Sequence, residues 1–124
     1  MGVAGVTAWR VVTELAQVND SDRVLVLGAS GGVGSIIVSV ARRLGATVWG
    51  QTGDAAKQTW VRERGAENVV VIGAGGLREA VRELKPTVVF DPLGNGFTGA
   101  ATDALEESGR LVIFGTSGEA TGHI

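Results

Sequence analysis

Cysteine and tyrosine are absent from this chain of 124 residues, and histidine occurs once, at His123. Without cysteine, these residues hold no disulfide, no thiolate ligand for zinc and no cysteine nucleophile. Without tyrosine, they lack the Tyr-x-x-x-Lys pair on which a short-chain reductase depends. These 124 residues therefore offer few side chains for covalent or acid–base catalysis. The sequence assigns no catalytic residue.

Long apolar runs and basic clusters are also missing, and we expect no leader sequence. The chain has no run of about eighteen apolar residues, so we expect no membrane span. Met1 leads into an amphipathic pattern rather than a basic start and a cleavage site. A net charge of −2 without basic clusters argues against a nucleic-acid surface. We therefore expect a cytoplasmic domain whose ligands are small molecules, with neither nucleic acid nor a membrane as a partner.

Glycine, by contrast, is abundant, at 20 residues, which is more than twice the usual share of about 7%. The glycines stand at the ends of apolar runs, so they mark loops rather than a low-complexity tract. A hydrophobic content of 44% and a mean hydropathy of +0.24 indicate a well-buried globular chain. The length suits a single domain with a substantial core.

Apolar runs alternate with helical patterns along the whole chain. A leading helix is predicted over residues 1–18, before a turn-forming stretch at residues 19–22. Later helices are expected at residues 32–44, 54–64, 77–84 and around 97–105. Five strands are expected at residues 23–28, 47–50, 68–72, 87–90 and 110–114. This alternation predicts an α/β fold, a doubly wound parallel sheet (Rossmann fold) in the order 3-2-1-4-5 with helices on both faces.

A sheet of this kind normally has a sixth strand, and the sequence stops where the loop to it should begin. We therefore expect residues 19–124 to be an incomplete dinucleotide-binding domain of a longer protein, with the sixth strand and a substrate domain absent. On this hypothesis the outer edge of the fifth strand is bare, and two copies should associate along it.

The most specific motif lies between the first strand and the helix that follows it. Ala29, Gly31 and Gly34 form the A-x-G-x-x-G version of the dinucleotide-binding fingerprint. The first two allow a tight turn and a close backbone approach to a pyrophosphate, and Gly34 lets the helix pack closely on the strand. The amides of Gly32 and Val33 are the best donors to that pyrophosphate, at the positive end of the helix dipole.

The second strand ends where an NAD-dependent enzyme usually carries an acid on the ribose diol. Here the expected position is Thr52, which is neutral, so a 2′-phosphate would meet no negative charge. Lys57, one turn into the next helix, could supply a cation to that phosphate. Asp54 leaves an alternative open, because it could be a helix cap or could bind the ribose hydroxyls and favour NADH. The pattern favours NADPH, with NADH possible.

The later strand ends suggest the nicotinamide side of the site. The loop from Asp91 to Gly94 follows the fourth strand, beside the expected nicotinamide ribose. Phe114 and Gly115 follow the fifth strand and should face the nicotinamide.

Several motifs together resemble one family. The stretches Gly5–Trp9, Ala29–Gly34, Arg43–Ala46, Phe90–Gly94 and Gly109–Gly115 are similar to signatures of the medium-chain dehydrogenases/reductases. Within that family they resemble the zinc-free quinone oxidoreductase branch, which includes zeta-crystallin. The resemblance covers nearly the whole chain. The loop Ala-Ser-Gly-Gly-Val-Gly, with Ser30 as its second residue, is the most distinctive part.

The resemblance implies hydride transfer from NADPH to a quinone or an activated alkene or carbonyl, without zinc. It implies that Thr7 lies near the nicotinamide, that Lys57 meets the 2′-phosphate and that the parent protein is a homodimer. Asp54 departs from the family, which often has a small hydroxyl residue there. Because the substrate domain is not among these residues, we expect the isolated chain to bind cofactor without turnover.

Two alternatives from other classes remain open. The sequence Gly28-Ala29-Ser30-Gly31-Gly32 also fits the G-x-S-x-G elbow of an α/β-hydrolase, with Ser30, Asp91 and His123 in the chain order of a hydrolase triad. The other alternative is a nucleotide-binding module with no catalytic activity.

Overall fold

One mixed sheet organises the molecule, and the computed structural model describes residues 8–72, 76–91, 105–106, 109–114 and 120–123. The strand order is β3-β2-β1-β4-β5-β6, and the first five strands pair in parallel. The predicted order 3-2-1-4-5 is therefore confirmed. The strands are β1 (Arg23–Val26), β2 (Thr47–Thr52), β3 (Asn68–Val71), β4 (Val88–Asp91), β5 (Arg110–Phe114) and β6 (Ala120–His123).

The helices follow the predicted positions with shorter bounds. Helix α1 spans Gly32–Arg43, a 3₁₀ turn at Ala55–Lys57 continues into α2 (Gln58–Glu63), and α3 spans Leu77–Ala80. The described part of the leading helix covers residues 8–10 and continues as a π-helix over Val11–Leu15. The helix expected around residues 97–105 lies almost wholly outside the described residues.

Each face of the sheet has its own apolar layer. Val24 and Val26 of β1 point into one layer, which the leading helix and α1 cover. Leu25 and Leu27 point into the other, which α3 covers. These four side chains are fully buried, as expected for a parallel strand with helices on both sides. The division into a leading helix (1–18) and a domain (19–124) stays a prediction, although both parts contribute to the first layer.

The outer edge of β5 is covered by the chain itself. Strand β6 runs antiparallel to β5, with Val112 opposite His123 and Ile113 opposite Gly122. Only residues 115–119 connect the two strands, whereas a parallel neighbour would need a crossover of a dozen or more residues. The expectation that the sixth strand is absent and that the edge of β5 is bare was therefore wrong. The self-association inferred from that bare edge loses this basis and stays a prediction.

The amino edge of the sheet is held by a buried carboxylate. Asp22 accepts hydrogen bonds from the Asn19 amide (3.0 Å) and the Thr87 hydroxyl (2.9 Å), and pairs with Arg110 (3.0 Å). The Thr87 hydroxyl also accepts from the Arg23 amide (2.9 Å). One carboxylate thus joins the starts of β1, β4 and β5.

We expect Asp22→Ala to lower the free energy of unfolding by about 1.5–3 kcal/mol, because it leaves a half-buried guanidinium and a hydroxyl without their acceptor. Asp20→Ala is the matched control: Asp20 is exposed and two residues away, so its loss should change stability by less than about 0.5 kcal/mol. Urea denaturation of both variants measures the difference. Equal midpoints would contradict the structural role of Asp22.

Candidate nucleotide-binding site

The turn between β1 and α1 is built on a close backbone approach. Gly28 has a positive φ of 60°, and its carbonyl accepts a hydrogen bond from the Gly31 amide at 3.0 Å. A Cβ atom at Gly34 would overlap that same carbonyl oxygen and lie 3.1 Å from the Ala29 Cα. Only glycine therefore lets α1 begin directly on the turn, which is the role that the fingerprint assigned to Gly34.

The amino end of α1 has free donor capacity. Its N-cap is Gly31, and no side chain caps the helix. The first amide that bonds back to this cap is that of Ser35, to the Gly31 carbonyl at 3.0 Å. The amides of the first turn, including Gly32 and Val33, come before the intrahelical ladder. A Cβ at Gly32 would meet no atom within 4 Å, so this end of the helix faces open space. The unpaired amides and the positive end of the helix dipole at this position suit an anion.

Two predicted site residues meet beside this turn. The hydroxyls of Ser30 and Thr52 lie 3.1 Å apart, although the residues are 22 positions apart in the chain. Thr52 is buried and also accepts a hydrogen bond from the Asp54 amide at 3.2 Å. The hydroxyl pair joins the ends of β1 and β2, and the wall beside the loop is neutral at this point.

Asp54 caps the 3₁₀ turn that follows β2. Its carboxylate accepts a hydrogen bond from the Ala56 amide at 2.9 Å. This contact supports the first of the two alternatives for Asp54, the helix cap. Lys57 ends the same turn with an exposed side chain. Within the described residues, the ion pairs found do not involve Lys57.

Sequence reasoning missed Gln51, the buried side chain behind the turn. Its Oε1 accepts from the Gly28 amide at 2.8 Å, and its Nε2 donates to the Ile72 carbonyl at 2.5 Å. Its main-chain carbonyl accepts from the Ala29 amide at 2.8 Å. A glutamine at the carboxyl end of an otherwise buried strand was the available signal, since a buried amide needs partners.

The nicotinamide side of the predicted site is only partly described. Strand β4 ends beside β1, where the Leu27 amide donates to the Phe90 carbonyl at 3.0 Å, and Asp91 is fully buried there. Thr7, Gly94 and Gly115 lie outside the described residues. Phe114 ends β5, and its side chain also lies outside them.

The structure does not assemble the hydrolase triad. The hydroxyl of Ser30 contacts Thr52 rather than a histidine. His123 belongs to β6, three strands away from β1 in the sheet, and three strand spacings amount to about 14 Å. The G-x-S-x-G match is therefore explained by the glycine spacing of the phosphate loop.

Two features are absent from the described residues. No group of three or more histidine or acidic side chains placed to hold a metal ion occurs among them. No helix in the same part of the chain is long and apolar enough to cross a membrane.

Residues 32–123 match the sequence pattern of the family described as zinc-binding dehydrogenase. The chain belongs to this family. It is the family's nucleotide-binding Rossmann domain, and the match confirms the resemblance to the medium-chain dehydrogenases/reductases. Prostaglandin reductase 1 of Bos taurus is 31% identical over 121 residues, covering 93% of this chain and 36% of the bovine enzyme.

Solved structures of two dehydrogenase-family relatives superpose closely on the chain. A mycobacterial protein complexed with NADPH has a TM-score of 0.86 and 28% identity, covering 100% of this chain and 40% of its own. A quinone oxidoreductase of Pseudomonas syringae pv. tomato has a TM-score of 0.85 and 26% identity, covering 94% and 37%. The 124 residues thus span little more than a third of such relatives.

We expect Gly34→Ala to destabilise the domain by about 1–3 kcal/mol, because the added methyl group forces the turn away from α1. Gly32→Ala is the matched control within the same helical turn, since its methyl group enters open space. The control should change stability by no more than about 0.5 kcal/mol. Urea midpoints of the two variants give the comparison, and equal midpoints would show that the Gly28 carbonyl can move aside.

Proposed function

We propose that this chain is the NADPH-binding domain of an oxidoreductase that transfers hydride from NADPH to a quinone or to an activated alkene or carbonyl. The uncapped amino end of α1, held against the Gly28 carbonyl by Gly34, is the observation that carries the proposal. It lies at the carboxyl edge of the sheet, near the switch between β1 and β4 where ligands of such folds bind.

The pyrophosphate site is proposed at the turn and the first turn of α1. Main-chain amides there would donate to phosphate oxygens, and the absence of side chains at the glycines leaves room for them. The residues proposed for this part are Ser30, Gly31, Gly32, Val33 and Gly34. For the nicotinamide end we propose Thr7, Gly94, Phe114 and Gly115, which are carried over from the family resemblance and the strand ends.

The preference for NADPH rests on charge. Thr52 presents a neutral, buried hydroxyl where an NAD-dependent enzyme has a carboxylate. The carboxylate of Asp54 is engaged with the Ala56 amide. Lys57 is an exposed cation one short turn further on, and a cation there stabilises a phosphate dianion. The NADPH complex of the mycobacterial relative supports the same choice.

The proposed chemistry depends on position rather than on acid–base groups. When bound, the nicotinamide supplies the hydride, and the protein has to hold the electron-poor atom of the substrate against it. The proposal includes no zinc, because the chain resembles the zinc-free branch of the family. The homodimer and the cytoplasmic location implied earlier stay predictions.

We expect Lys57→Ala to weaken NADPH binding by about 1.5–3 kcal/mol and to leave NADH binding nearly unchanged, since only NADPH carries the 2′-phosphate. Titration of both cofactors by calorimetry measures the two affinities. Lys85→Ala is the charge-matched control, because Lys85 is exposed and follows α3 at the amino edge, where its carbonyl accepts from Arg23. Equal losses for both cofactors, or tighter binding of NADH, would reassign the ribose site to Asp54.

We expect the 124 residues alone to bind NADPH without oxidising it in the presence of a small quinone, because the chain spans little more than a third of its relatives. Binding is measured by calorimetry and turnover by the loss of nicotinamide absorbance. Gly34→Val, whose branched side chain would overlap the Gly28 carbonyl and should abolish cofactor binding, controls for contaminating reductases. Turnover that disappears with this variant would show that the active site is complete within these residues.

A further inference from the structure

The side-chain amide of Gln51 connects three strand ends at the proposed cofactor site. It accepts from the Gly28 amide at the end of β1 and donates to the Ile72 carbonyl at the end of β3. Gln51 itself lies in β2, between these two strands, and only 2% of it is exposed. Since the Gly28 amide can only donate and the Ile72 carbonyl can only accept, the orientation of the amide group is determined.

We infer that Gln51 is a positioning residue that sets the affinity of the phosphate loop for a pyrophosphate group, and this inference rests on the proposed function. Gly28 is the first residue of the turn and has a positive φ, so the bond to its amide fixes the direction in which the turn leaves β1. The carbonyl of the same residue is the atom that Gly34 packs against. The position of the α1 amides therefore depends on the Gln51 side chain.

The fold has an independent attachment at the same point. The Ala29 amide donates to the main-chain carbonyl of Gln51, and the Ile72 amide donates to that of Thr52 at 3.1 Å. These bonds survive any change of the Gln51 side chain. Removing the amide should therefore loosen the turn without unfolding the sheet, and preorganised donors lose affinity when their support is loosened.

The first test is Gln51→Leu, which keeps the bulk of the side chain and removes both hydrogen bonds. We expect the affinity for NADP⁺ to fall about tenfold, which corresponds to about 1.4 kcal/mol at 25 °C, while the circular dichroism spectrum is retained. Gln58→Leu is the matched control, because Gln58 donates to another β3 carbonyl, that of Val69 at 3.5 Å, from helix α2. The control should bind NADP⁺ like the unchanged protein.

The second test, Gln51→Glu, has a readout that a purely structural role would not produce. Burial raises the pKa of the introduced carboxyl. Below that pKa, the neutral acid can accept from Gly28 and donate to Ile72, as the amide does. Above it, the carboxylate faces the Ile72 carbonyl and adds a negative charge near the phosphate site. The quantity to follow is the NADP⁺ dissociation constant of Gln51→Glu divided by that of the unchanged protein. This ratio should be near one at low pH and should rise as the pH passes through the pKa of the introduced carboxyl.

Other titratable groups are shared by all variants and cancel in this ratio. At the described carboxyl edge these are Asp54, Lys57 and Asp91, of which Asp91 lies two strands from β2, at about 10 Å. Ionisation of the 2′-phosphate of NADP⁺ affects the variant and the unchanged protein alike, so its effect on the ratio cancels as well. Gln58→Glu is the control for an added carboxyl nearby, and its ratio should not change with pH.

The decisive comparison is between affinity and local structure in Gln51→Glu. The amide resonance of Gly28, followed by nuclear magnetic resonance, should titrate with the same pKa as the affinity ratio. A Gly28 resonance that titrates while the ratio stays constant would overturn the positioning role, and so would unchanged affinity in a folded Gln51→Leu. Failure of the unchanged protein to bind NADP⁺ at all would instead overturn the proposed function, and the inference with it.

Discussion

The close approach of α1 to the Gly28 carbonyl is the contact on which the rest of the site depends. It requires a residue without a Cβ at Gly34, and it brings the first turn of the helix to the edge of the sheet. Because the helix has no side-chain cap, its amides stay available to an external anion. Packing of the domain and its proposed ligand binding therefore rest on the same few backbone atoms.

The amino and carboxyl edges of the sheet differ in their polar contacts. At the amino edge, Asp22 and Arg110 join the starts of three strands through an ion pair and several hydrogen bonds. At the carboxyl edge, the hydroxyls of Ser30 and Thr52 contact each other beside an exposed glycine turn. The Gln51 side chain accepts from the Gly28 amide there. At the carboxyl edge, the amides of the first turn of α1 face open space. The open helix amides favour ligand binding at the carboxyl edge.

Much of the fold could be predicted, because its signals are local. Apolar runs such as Val24–Leu27 indicate strands buried on both faces. Their alternation with helices leaves little choice of strand order. The outermost strand, β6, was expected to be absent, and that error has a physical reason. The pattern of residues 120–123 is short and weakly apolar, so nothing local revealed that it pairs antiparallel with β5.

The sequence by itself determined the parallel sheet, the glycine turn after β1 and the need for glycine at Gly34. The sheet follows from the alternation of apolar runs with helical patterns, and the turn and Gly34 follow from the spacing of the fingerprint. Only the tertiary structure decided the use of Asp54 as a cap, the pairing of Ser30 with Thr52, the direction of β6 and the bridging role of Gln51. The bonds of Gln51 and Ser30 join residues more than twenty positions apart. Such contacts exist only once the parallel strands have brought their carboxyl ends to one edge, so no local pattern in the sequence could specify them.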